Sequence, residues 1–78
     1  MSLAELLAYL ARNLVDEPDA VEVEEVHREG VTVLQLRVAK ADVGKVIGRQ
    51  GRIARALRAI VRASGARSHN RVVLEIME

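Results

Sequence analysis

The residues best suited to chemistry lie together in Asp42-Val43-Gly44-Lys45-Val46-Ile47-Gly48-Arg49-Gln50-Gly51-Arg52. Gly48 and Gly51 carry no side chain, so a sugar-phosphate backbone can approach the main chain there. A helix that starts beside them offers amide N–H groups near Gly51 and Arg52 that have no partner within the helix. Its positive end favours an anion. Arg49 and Arg52 add guanidinium groups, whose planar fork suits phosphate. The chemistry these types predict is the gripping of a phosphate chain. Two glycines three apart also serve a plain helix-to-helix corner, so the surrounding elements must decide.

Other chemistries find little support. The chain has no cysteine, which excludes disulfide scaffolds, thiol nucleophiles and Cys-ligated zinc. His27 and His69 are isolated, and read as a strand residue and a turn residue rather than ligands. Glu22, Glu24 and Glu25 alternate with valines in a way that fits a half-exposed strand better than a pair of catalytic carboxylates. Neither a P-loop nor a Gly-x-Gly-x-x-Gly is present, so no nucleotide cofactor and no other cofactor is expected. An enzyme is not expected.

Charge is divided unevenly. Residues 1–39 carry eight acids and three bases, a net of −5, whereas residues 40–71 carry nine bases and the single acid Asp42, a net of +8. The whole chain comes to +1. This split points to a polyanion on the second half; a solvated basic helix is the plainer alternative. Tyr9 is the only aromatic residue, so stacking of bases on aromatic platforms is nearly closed as a binding mode.

The elements that must position the glycines follow from periodicity. Ser2 and Glu5 have capping-box spacing, and Leu3, Leu6, Leu7, Leu10 and Leu14 form one helical stripe that Asp16-Glu17-Pro18-Asp19 ends. Val21, Val23 and Val26 mark a strand whose broken alternation suggests a bulge, and Gly30 a hairpin turn. Leu34, Leu36 and Val38 share one face of the next strand, with Val31, Val33, Gln35 and Arg37 on the other. Asp42 is the expected N-cap of a short helix within 40–47. Residues 52–64 form a longer helix, with Ile53, Ala54, Leu57, Ile60 and Val61 inward, Arg52, Arg55, Arg58 and Arg62 outward, and Gly65 as C-cap. After a turn at Ser68-His69-Asn70, Val72, Leu74 and Ile76 form the core side of a last strand. The order α-β-β-α-α-β predicts a two-layer α+β domain with three strands on one side and three helices on the other. At 78 residues a single domain over 1–78 is expected. No stretch of about 18 apolar residues occurs, so no membrane partner is expected, and without a secretory leader the expected location is cytoplasmic.

With its glycine pair and element order, the chain resembles the K-homology (KH) RNA-binding domain in its bacterial type II form, over nearly the whole length. The run Val-Gly-Lys-Val-Ile-Gly-Arg-Gln-Gly-Arg-Ile-Ala-Arg-Ala-Leu-Arg is most similar to the small KhpA (YlqC-type) family. KH domains clamp four backbone nucleotides in the Gly-x-x-Gly loop. The resemblance implies an RNA chaperone that binds single-stranded RNA and forms a homodimer or a heterodimer with a KhpB-type partner. It also implies a link to cell shape and cell wall biogenesis. Gly48, Arg49, Gln50 and Gly51 would be the clamp, and Gly44 would let a nucleotide approach the short helix. Ile47 and Ala54 would form the apolar floor under the bases, and Lys45, Arg52 and Arg55 the charged rim. Phosphate contact plus aliphatic packing implies modest affinity and loose sequence preference. A protein-interaction module that keeps only the scaffold is the alternative, with Val31, Val33, Val73 and Met77 as one candidate face. Replacing Gly48 and Gly51 together by aspartate is expected to leave the fold intact and abolish RNA binding.

Overall fold

A computed structural model describes residues 1–67 and 71–78. Helix α1 spans Leu3–Arg12. Its start is a capping box: the Glu5 amide donates to Ser2 Oγ at 3.1 Å, and the Ser2 amide to Glu5 Oε1 at 2.7 Å. The bond from the Ser2 amide is the main reason the Glu5 carboxyl sits below its ordinary pKa. The helix ends earlier than the leucine spacing suggests. Asn13 caps it, with its side-chain amide donating to the Tyr9 carbonyl at 2.8 Å. Leu14 therefore falls outside the helix and is exposed, and the inward stripe is Leu7, Ala8 and Ala11. Pro18 opens a separate short turn, Pro18–Ala20.

Strands β1 (Glu22–Arg28) and β2 (Val31–Arg37) form an antiparallel hairpin. Glu29 and Gly30 both have positive φ, as a tight two-residue hairpin turn requires. The register runs unbroken from Glu22↔Arg37 to Arg28↔Val31, so the expected bulge is absent. Val23 faces the core opposite Leu36, while Val26 lies on the outer face opposite Val33. The broken alternation is a change of face by the valines, not an inserted residue.

A short turn, Lys40–Asp42, leads into helix α2 (Val43–Ile47). After a second turn, Arg49–Gly51, helix α3 runs from Arg52 to Arg67. It is longer than the glycine at 65 suggests: Gly65 lies within the helix and is buried, so it does not cap it. Strand β3 (Arg71–Ile76) pairs in parallel with β2, giving a mixed sheet of order β1-β2-β3. The turn expected at Ser68-His69-Asn70 lies outside the described residues.

The core lies between the sheet and the three α-helices. Leu34, Leu36 and Leu74 of the sheet pack with Leu7, Ala11, Val46, Leu57 and Val61 of the helices. Each fully buried Leu or Val contributes about 1.5–3 kcal/mol. Ile60, expected inward, is 39% exposed, at the margin of the α3 stripe. On the outer sheet face Val33 and Gln35 are buried by their neighbours on β1 and β3, and Gln35 donates to Glu75 at 3.0 Å. That face therefore exposes less apolar surface than its sequence suggests.

Candidate nucleic-acid interface

Helix α2 stops where the Gly48 amide donates to the Gly44 carbonyl at 2.9 Å. Gly48 then turns the chain outward at φ 79° and ψ 171°. Gln50, at φ 58° and ψ 24°, and Gly51, at φ 73°, complete the reversal in the left-handed region. The Gly51 amide donates to the Gly48 carbonyl at 3.1 Å, and the Arg52 amide to the Arg49 carbonyl. Both donors expected to be free are thus used inside the turn. Among the described residues the amides of Arg49 and Gln50 have no such backbone acceptor in the turn.

The glycines differ in what surrounds them. A Cβ on Gly51 would stand 3.6 Å from Arg55 Nη1, which places that guanidinium beside the bare backbone. A Cβ on Gly44 would meet nothing within 4 Å, so the exposed side of α2 is open to approach. A Cβ on Gly48 would strike Ile53 at 2.7 Å. Exchanging both loop glycines for aspartate is therefore expected to strain the turn at Gly48, where the sequence alone suggests an intact fold.

Arg49, Gln50, Arg52 and Arg55 are all exposed. Arg52 Nη2 donates to Gln50 Oε1 at 3.4 Å, bringing the guanidinium over the turn. Arginine stays charged under all ordinary conditions. Ile47 is half-buried, whereas Ala54 faces inward with 3% of its surface exposed and offers little for a base to touch. Ile53, half-buried, packs directly against Gly48, a contact that sequence reasoning missed. Its place on the helical stripe read only as core.

Lys45 is not a free rim charge. Its Nζ lies 3.2 Å from Asp16 Oδ2 and 3.3 Å from Asp42 Oδ1, and these bonds hold its pKa above the ordinary lysine value. Asp42 does not cap α2 either: its side chain makes no capping bond. It is 1% exposed, and its Oδ2 accepts the Glu17 amide at 3.0 Å. Burial alone would raise the Asp42 pKa. The amides of Glu17 and Asp16 and the Lys45 ammonium outweigh it and hold the carboxyl below its usual range.

Beyond the loop, α3 and β3 enclose two adjoining grooves. One, of about 210 Å³, is lined by Arg58, Arg62, Val72, Val73 and Leu74. The other, of about 340 Å³, is lined by Arg62, Ala66, Arg71, Val72 and Val73. The arginine spacing on α3 was visible in the sequence, but its alignment with β3 depends on the parallel pairing. A larger groove of about 450 Å³, between α1 and β1, includes Tyr9, Val21 and Val23 and no residue of the loop. No cluster of three metal-ligating side chains occurs among the described residues. No helix among them is long and apolar enough to cross a membrane.

A glycine-rich turn between two helices, backed by a three-stranded mixed sheet in the order α-β-β-α-α-β, defines a KH domain of the bacterial type. Residues 4–76 match the family described as KhpA/KhpB, KH domain, and the chain belongs to that family. It is not an enzyme family. The chain is similar to RNA-binding protein KhpA of Treponema pallidum, 57% identical over 95% of this chain and 92% of that protein. It is also similar to RNA-binding protein KhpA of Aquifex aeolicus, 51% identical over 99% of this chain and 98% of the other. RNA-binding protein KhpA of Caldanaerobacter subterraneus subsp. tengcongensis is 48% identical over 96% of this chain and its own full length. Among solved structures, Aquifex aeolicus Era superposes with a TM-score of 0.64 at 19% identity over 95% of this chain, a likeness of fold. The chain spans 29% of the Era chain.

Proposed function

We propose that this chain is a single KH domain that binds single-stranded RNA through Gly48-Arg49-Gln50-Gly51, with Arg52 and Arg55 at the rim. The observation that carries the reading is the side-chain-free turn with Arg49 and Gln50 exposed and two further guanidinium groups beside it. The names of the relatives support the ligand class. Gly44 leaves room for a nucleotide along α2, and Ile47, Ile53 and the wall of β3 supply aliphatic contact. Phosphates dominate such a surface, so affinity is modest and sequence preference loose, as suits a cytoplasmic RNA chaperone. Titration of one labelled RNA as a single strand and as a duplex tests this. Single-strand preference is expected; equal affinity for both forms, or none for either, would reject the clamp.

Self-association, or pairing with a KhpB-type partner, accompanies this reading, because a core this small gains from burying further apolar surface. Sedimentation over a concentration series is the check, and a strict monomer at the highest concentration counts against a homodimer.

A further inference from the structure

Helix α2 has five residues, too few to hold its shape alone. Its C-terminal end delivers Gly48 to the loop, so whatever fixes its start fixes the entrance to the site. That start is tied to the connector between α1 and β1. The buried Asp42 carboxylate accepts the amide of Glu17 at 3.0 Å. Lys45, one turn along α2, reaches back to bond Asp42 and Asp16 together. The connector is itself anchored, by the Pro18–Ala20 turn and by Val21, which is 5% exposed in the core. The charges do not suit a phosphate contact: Lys45 sits between two carboxylates, which leaves this trio with a net charge of −1.

We propose that Asp42 and Lys45 are positioning residues. With the amide of Glu17 and the carboxylate of Asp16 they latch α2 to the connector and hold the Gly48 entrance in shape, and Lys45 makes no phosphate contact. The inference rests on the RNA reading above for its consequence, but the latch itself can be judged without RNA.

Two measurements on the full chain test it, using Asp42→Asn, Lys45→Gln and Asp16→Asn. The first is amide hydrogen exchange. In the latched protein the Gly48 and Gly51 amides are protected by their bonds to Gly44 and Gly48. They are expected to exchange faster in each variant, while the amides of β2 keep their rates. Unchanged exchange at Gly48 overturns the latch whether or not RNA binds. Should Asp42→Asn fail to fold, the two variants at exposed side chains carry this measurement alone.

The second is titration with a short oligouridylate across a salt series. If Lys45→Gln lowers the competent fraction of the loop to about a tenth, affinity falls about tenfold. The log-log salt slope is expected to stay unchanged. A slope shallower by about 0.7, the value of one lost phosphate contact on a single strand, overturns the role given to Lys45. Faster exchange with unchanged RNA affinity overturns the link between latch and site. A parent protein that does not bind the oligouridylate rejects the RNA reading and leaves the exchange result to decide the latch.

Discussion

Gly48 and Ile53 are packed so closely that a Cβ on the glycine would lie 2.7 Å from Cγ1 of the isoleucine and 3.0 Å from its Cβ and Cδ1. Gly48 also has φ 79°, which side-chain-bearing residues avoid. Gly48→Ala is expected to destabilise the fold by about 1–3 kcal/mol, from overpacking and backbone strain together. Ile53→Ala should relieve part of the clash, so the two changes couple, by about 0.5–3 kcal/mol. Urea unfolding of the single and double variants measures this; simple additivity would show that the contact carries no strain.

Gly44 predicts the opposite balance. It is exposed on α2, has open space where a Cβ would go, and its φ is unstrained. Gly44→Ala should raise stability by about 0.4–1 kcal/mol. If a nucleotide lies along α2, the same methyl group weakens RNA binding. A variant that is more stable yet binds RNA as well as the parent would remove Gly44 from the site.

Arg49→Asp with Gln50→Asp is the cleaner test of the clamp. Neither residue is packed, and aspartate tolerates the left-handed conformation at position 50 better than most. Thermal unfolding should stay close to that of the parent while RNA binding is lost. Retained binding in the folded double variant would place the RNA elsewhere.

Salt dependence reports how many phosphates the loop and rim engage. Three or four contacts at about 0.7 each give a log-log slope of roughly −2 to −3 for a single strand. Fluorescence titration over a salt series measures it, and a flat response would contradict a site built on guanidinium groups.

Acid should loosen the latch. The Asp42 carboxyl lies below its ordinary value of 3.8, so its stabilising contribution is full above that value and is lost as pH falls through the lower folded value. Lys45 works in the other direction: raised above 10.5, it contributes fully below 10.5 and loses its share as pH rises through the folded value. The gap in urea midpoint between the parent and Asp42→Asn should therefore be constant near neutrality and close in strong acid. A gap that persists at low pH would assign the effect to packing instead of charge.

The sequence carried the element order, the capping box at Ser2 and Glu5 and the inward faces of β2 and β3, because each depends on neighbours within one or two turns. It carried the glycine turn for the same reason. What it did not carry depends on distant pairing. The Asp42 carboxylate bonds an amide twenty-five residues away, and no local rule separates that use from an N-cap. The groove beside Arg58 and Arg62 exists only once β3 lies against β2. Gly65 read as a stop signal because glycine is a poor helix residue, yet on α3 it is buried, where tertiary packing overrides propensity.

The parallel pairing of β2 with β3 also orders events in time. The loop lies within the crossover that joins these two strands: α2 enters from β2 and is tied to the α1–β1 connector, whereas the far end of α3 is joined to the sheet through β3. Such distant contacts close slowly. On a ribosome the first half of the chain can form its hairpin early, but the loop would be held from both sides only after the final strand has emerged.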